Sequence, residues 1–274
     1  MIPDISHHHT VKDWDKVKDN CPFIITKATQ GKSFVDSSLK DVIKHCEKIN
    51  IPYWVYVYLN KGDELTQTRF MIDTCKGLVG KNFVGYIIDV EAGNKSGHVK
   101  DALEFIEKQG HKCMIYTMYA DYANYRTVIA GRGKNSAWWE ARYGRNNGRY
   151  NGDYPCHKGV DLHQYTSAGK VDTIAGNIDL NRVTGAGKSL KWFTTPLGKK
   201  AKKNTIKYYN PIKSYKGDSV VEALNRLKIN SSFEYRKKIA KANKIKNYTG
   251  TASQNLYLLR LLRKGKLIKP EKGE

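Results

Sequence analysis

The sequence predicts an α/β fold: an irregular (β/α)5(β)3 barrel, followed by a small, mainly helical C-terminal domain. Three observations predict it. Short apolar, β-branched runs recur at roughly 25–35-residue spacing through the first 130 residues, with helical patterns between them. After about residue 130, strand-like pieces follow one another through Gly- and Asn-rich turns with no room for full helices. Near the carboxyl end, three capping boxes each open an apolar helical pattern.

Taken in order, Ile2-Pro3-Asp4-Ile5-Ser6 reads as a first strand carrying an acid, followed by His7-His8-His9. Adjacent histidines cannot all face one ion, so these read as loop residues rather than metal ligands. Residues 11–20 carry a helical turn or two. Phe23 to Ala28 is a second strand, closed by Thr29-Gln30-Gly31, and Ser38 to Ile49 has helical spacing. Ile51 to Leu59 is a third strand, and Thr66 to Val79 is expected to be helical. Val84 to Ile88 is apolar throughout, as in a strand buried on both faces. Val99 to Lys108 is the next helix, with Gly110 as its stop, and Lys112 to Thr117 the fifth strand. Ala137–Tyr143, Val160–Tyr165 and Asn177–Leu180 supply the last three.

The fourth strand ends in Asp89-Val90-Glu91. Residues i and i+2 of a strand share a face roughly 6–7 Å apart, so two acids stand side by side where α/β folds place their chemistry. Paired acids suit a general acid beside a charge-stabilising or nucleophilic carboxylate. The same pair also fits a magnesium site or two solvated strand-end acids.

Residues 188–204 hold two adjacent threonines, a proline, a glycine and Lys199-Lys200-Ala201-Lys202-Lys203, the composition of a linker. The expected division is therefore 1–187, a linker at 188–204, and 205–274. In the last segment Ser219-x-x-Glu222, Ser231-x-x-Glu234 and Thr251-x-x-Gln254 open the helices. Flanking pieces, Ile206–Tyr209 and Lys266–Ile268, are expected to pair and close so small a domain.

The chain has 274 residues, 40% of them hydrophobic, enough for one large domain and a small one. The net charge of +22 is uneven. Residues 1–190 hold 26 Lys+Arg against 21 Asp+Glu, whereas 191–274 hold 22 against 5. Solubility alone does not call for such a tail, so it reads as a module for a polyanionic partner, with exposed Leu or Tyr able to drive homo-oligomer formation. Solvated faces of three small helices are the plainer alternative. Five widely spaced cysteines without a Cys-x-x-Cys pair argue against a zinc ribbon or disulfide framework. No apolar run is long enough for a membrane span, and Met-Ile-Pro-Asp-Ile-Ser lacks the pattern of a secretory signal.

With these residues laid out, the first 187 or so resemble glycoside hydrolase family 25, lysozymes that commonly serve as phage endolysins. Pro3-Asp4-Ile5-Ser6 resembles the family's opening strand, and Ile25-Thr26-Lys27-Ala28-Thr29 its second, although Gln30 stands where many members have glutamate. Tyr56-x-Tyr58, Asp89-Val90-Glu91, Ile115-Tyr116-Thr117 and Trp139-x-Ala141-x-Tyr143 follow in order. Gln164-Tyr165-Thr166-Ser167 and Gly176-Asn177-Ile178-Asp179-Leu180-Asn181-Arg182 are the most specific stretches. The tail resembles wall-binding segments of clostridial endolysins and autolysins.

The resemblance implies a TIM-like barrel that cuts the β-1,4 bond between N-acetylmuramic acid and N-acetylglucosamine in Gram-positive peptidoglycan, without metal or other cofactor. Glu91 would be the general acid, its pKa raised by neighbouring carboxylates, with Asp89, Asp4 and Asp179 facing the oxocarbenium-like centre. Attack by a carboxylate and attack by the sugar's own N-acetyl group both fit. Tyr56, Tyr58, Tyr116, Trp139, Gln164 and Tyr165 would line the groove, although core packing explains any single aromatic equally well. Without a signal the protein is expected to stay in the host bacterial cytoplasm until released to the wall. The rival readings are a zinc amidase of the wall, for which His111, His157 and His163 lack motif spacing, and a nucleic-acid-binding protein motivated by the lysine-rich tail.

Overall fold

Strand β1 (Ile2–Ile5) pairs on one side with β2 (Ile24–Gln30), in parallel, and on the other with β9 (Ile174–Val183), antiparallel. That double pairing closes the sheet. In the computed structural model, which describes residues 1–91, 93–197, 208–212 and 214–270, the circuit continues through five further strands. They are β4 (Tyr53–Tyr58), β5 (Phe83–Val90), β6 (Lys112–Met118), β7 (Ser136–Ala141) and β8 (Leu162–Val171), so eight strands form the barrel. From β2 through β8 the barrel neighbours are parallel, and the β8–β9 hairpin is antiparallel. A two-residue strand, β3 (Phe34–Val35), hangs on the edge of β2.

Five helices alternate with the parallel strands: α1 (Val17–Asn20), α2 (Leu39–Ile49), α3 (Glu64–Cys75), α4 (Ser96–Lys108) and α5 (Tyr122–Ala130). On α2, Leu39, Val42, Ile43 and Cys46 are buried, the one-sided stripe that a helix laid on a sheet requires. Helix α3 begins two residues earlier than the apolar pattern suggests and ends at Cys75, because Gly77 takes the left-handed backbone (φ 83°). One apolar cluster lies between strands and helices. A second, with Ile25, Trp54, Ile87, Met114, Trp139 and Leu162, fills the barrel. Gly85 of β5 leaves its Cβ space to the Trp54 ring, which an added Cβ would meet at 2.6 Å.

Residues 188–197, expected to be part of a linker, are instead largely structural. Helix α6 (Leu190–Thr194) inserts Phe193, wholly buried, against Phe23 with ring centroids 5.7 Å apart. The Trp54 indole donates to the Phe193 carbonyl at 2.9 Å, and the Lys112 ammonium donates to the carbonyls of Trp192 and Thr195 at 2.7 Å each. These partners belong to the amino-terminal ends of strands, so α6 stoppers the barrel opposite the carboxyl ends. Residues 198–204 of the expected linker lie outside the described residues.

The chain divides into two units, Met1–Ala201 and Lys202–Glu274. The second contains α7 (Val220–Arg226), α8 (Phe233–Ala242) and α9 (Ala252–Arg263) around Leu224, Ile239, Leu258, Leu259 and Leu262. Tyr208 bridges Ile268, and the Tyr209 amide donates to Leu267 at 2.9 Å, so the flanking pieces pair at Tyr208 and Tyr209, while Ile206 and Lys207 lie outside the described residues. Only the Thr251–Gln254 capping box is reciprocal. The Ser219 hydroxyl caps Glu222, but the Glu222 carboxylate turns to Tyr215 and Arg226. Helix α8 is capped by Ser232, not Ser231, because Ser232 reaches the Tyr235 amide. Among the described residues, no helix is long and apolar enough to cross a membrane.

Candidate active site

The parallel strands deliver their carboxyl ends to one rim, and four acids meet there. Asp4 on β1 is directly cross-strand from Asp179 on β9. Asp89 is the next-to-last residue of β5, and Glu91 stands just past its end. Ile2, Ile87 and Asn181 face the barrel interior, and alternation turns Asp4, Asp89 and Asp179 the same way. Asp4 and Asp89 are each only 8% exposed, whereas Glu91 is open to solvent at the rim.

Electrostatics tie the four into one group. Burial, then Asp179 and Asp89, push the Asp4 carboxyl well above the usual range. Burial, then Glu91, do the same to Asp89. Burial followed by Glu91 raises Asp179 from 3.8 to about 6. Glu91 is also raised, first by partial loss of hydration; the Tyr116 hydroxyl opposes this, while Asp121 adds to it. The dominant cause is thus desolvation rather than the neighbouring carboxylates that sequence reasoning favours. Among the described residues, one oxygen each of Asp4 and Asp89 is buried without a hydrogen-bond partner.

The aromatics divide into floor, walls and one exception. Trp139, 2% exposed, donates its indole N–H to Asn181 at 2.7 Å and belongs to the floor. The Tyr116 and Tyr143 hydroxyls both donate to the Gln164 oxygen, at 3.0 and 2.8 Å, and the Gln164 amide nitrogen reaches Asp179 at 3.4 Å. Tyr56 and Tyr58 are half-buried walls; burial, followed by Asp4, Asp89 and Asp179, raises the Tyr56 phenol. Tyr165 is set apart. It lies on the other face of β8 from Gln164, packs with the outer core and meets Tyr150 edge-on at 5.9 Å. It borders an open pocket of about 390 Å³ whose lining includes none of the four acids.

Sequence reasoning missed Lys27. It sits two residues after inward-facing Ile25, and its ammonium donates to Gln30 at 2.7 Å. Its charge opposes the upward shifts of Asp4, Asp89 and Glu91. A lone cation inside the apolar run Phe23–Ala28 was the available signal. The Gln30 contact was not legible, because it depends on a register shift between Lys27 and Thr29. Among the described residues, no group of three or more His, Cys, Asp or Glu is arranged to hold a metal ion.

The family model for glycosyl hydrolases family 25 matches residues 3–174, well over half of the chain. The chain belongs to glycosyl hydrolases family 25. Its barrel is similar to that of a family 25 glycosyl hydrolase from Streptococcus pneumoniae (TM-score 0.61, 22% identity, 71% of this chain and 93% of that one). It is also similar to the catalytic domain of the endolysin ply40 from Listeria bacteriophage P40 (TM-score 0.56, 23% identity, 67% and 92%). In sequence it is 24% identical over 174 residues to an autolytic lysozyme of Clostridium acetobutylicum, covering 62% of this chain. Over 47 residues, 17% of this chain, it is 51% identical to an L-alanyl-D-glutamate peptidase of Listeria phage A118. The chain spans 51% of the length of the lysozyme and 17% of that of the peptidase.

Proposed function

We propose that this family 25 hydrolase is a muramidase of the endolysin kind, cutting the β-1,4 bond between N-acetylmuramic acid and N-acetylglucosamine in Gram-positive peptidoglycan. The observation that carries the reading is the convergence of Asp4, Asp89, Glu91 and Asp179 on one rim, with carboxyls whose pKa values are raised. Glu91, the most open of the four, holds its proton above the usual carboxylate range and delivers it to the glycosidic oxygen. Asp179, ionised above about pH 6, faces the positive charge that develops at the sugar. Asp4 and Asp89, buried deeper, are also raised and add acidic groups to the cleft. Tyr56 and Tyr58 flank the sugar rings.

Residues 202–274 form the proposed wall-targeting domain, attracted to anionic wall polymers by the basic surplus of the tail. In this reading the protein acts after release from the host cytoplasm to the wall.

One experiment tests both halves. Glu91→Gln should lose at least about 10²-fold in release of reducing ends from purified walls, yet still sediment with those walls. The chain cut back to residues 1–201 should lose sedimentation. A Glu91→Gln protein retaining a tenth of its activity would sink the assignment of the acid. Wall binding unaffected by removal of 202–274 would sink the targeting role.

A further inference from the structure

One row of side chains crosses the sheet at the carboxyl ends. Tyr116 is in register with Asp89, Asp89 with Tyr58, Tyr58 with Gln30, and Gln30 with Phe34. Residues directly opposite on neighbouring strands share a face, so all five lie along the groove side. The row begins at the floor with Tyr116, only 4% exposed, and ends at Phe34, which is 44% exposed.

The mount beneath that exposed ring is firm. The Gly31 amide donates to the Tyr58 carbonyl at 3.1 Å and the Asp36 amide to Ala28 at 2.9 Å, which fixes both legs of the β2–β3 hairpin. The Asp36 carboxylate accepts from the His7 amide at 3.1 Å, meets the His7 ring nitrogen at 2.7 Å, and accepts from the Ser38 hydroxyl at 2.6 Å. His7 in turn packs on Phe34, with ring centroids 5.8 Å apart. Lys27 connects ring and acids: its ammonium lies 5.8 Å from the Phe34 ring and 5.2 Å from that of Tyr58. An aromatic face held still in water, in line with a carboxylate cleft, is preorganised for a flat apolar ligand surface.

Three strand spacings separate Phe34 from Asp89, roughly 14 Å. That distance lies beyond the two rings flanking a bond cut at Glu91. We propose that Phe34 is the stacking platform of a distal glycan subsite, taking the C–H face of a sugar several rings from the scissile bond; this rests on the muramidase reading of the cleft. The subsite grips long strands and is out of reach of short ones.

The test compares the full-length wild type, Phe34→Ala and Phe34→Trp on two soluble substrates from the same peptidoglycan: long glycan strands and a tetrasaccharide. For Phe34→Ala, KM on the long strands should rise about tenfold, equivalent to roughly 1.4 kcal/mol, and rise much less on the tetrasaccharide. Phe34→Trp should restore the long-strand KM. An equal change on both substrates, or none on the long strands, overturns the subsite while leaving the muramidase reading standing. A wild type that cleaves neither substrate overturns that reading and the subsite with it.

Discussion

Asp179→Asn should make the barrel more stable at neutral pH and leave it unchanged in acid. The substitution keeps the side chain's shape and an acceptor for the Gln164 amide, which lies 3.4 Å away. What it removes is the ionisation. The Asp179 carboxyl is raised from 3.8 to about 6, by burial and then by Glu91, so the folded chain holds this proton more tightly than the unfolded chain does. Stability from that preference is complete below about pH 4 and is lost as pH rises through 6. A rise of about two pH units at 1.36 kcal/mol each amounts to about 3 kcal/mol. The asparagine variant escapes this loss. Relative to the wild type its melting temperature should match at pH 3.5 and stand roughly 6–12 °C higher at pH 7.5. Thermal unfolding followed by tryptophan fluorescence reads the barrel directly, because Trp54, Trp138 and Trp139 are buried there. A gain of equal size at both pH values, or a loss at pH 7.5, would refute the argument. If Asp179 serves the proposed muramidase chemistry, wall hydrolysis should fall in the same variant, so that its stability cost is the counterpart of its role.

Two other substitutions probe the surroundings of the acids and the far end of the barrel. Lys27→Met removes a cation that holds Asp4, Asp89 and Glu91 down, so Glu91 should keep its proton to higher pH. The alkaline limb of hydrolysis on a soluble glycan should then move to higher pH; an unmoved limb would mean that Lys27 does not act on the acid. Phe193→Ala should cost about 3–5 kcal/mol in urea unfolding of the barrel, whereas a neutral result would return this stretch to the status of a linker.

Much of the barrel was legible because a doubly buried parallel strand announces itself. Val84–Ile88 admits no polar residue, and the helices between such runs carry a one-sided apolar stripe, as on α2. The β8–β9 hairpin was only half legible. It runs from Leu162 to Val183 with three register shifts, each of which breaks the alternation that a reader of sequence follows. The same limit explains Tyr165, whose face of β8 is decided by tertiary pairing. Phe34 was invisible for a different reason, since a two-residue strand has no period. The acids were legible one at a time from their places at strand ends. Their dominant source of pKa elevation was not, because desolvation depends on the walls that other strands build around them.

The stopper helix α6 also decides where this enzyme can be divided. Composition suggests ending the catalytic piece at 187, yet such a piece would leave the Phe23 and Trp54 rings without Phe193 and the Lys112 ammonium without its two carbonyl partners. Severing there opens a hydrophobic socket in the base of the barrel. Any transplant of this barrel onto a different C-terminal segment therefore has to carry its own cork, with the splice made after residue 197.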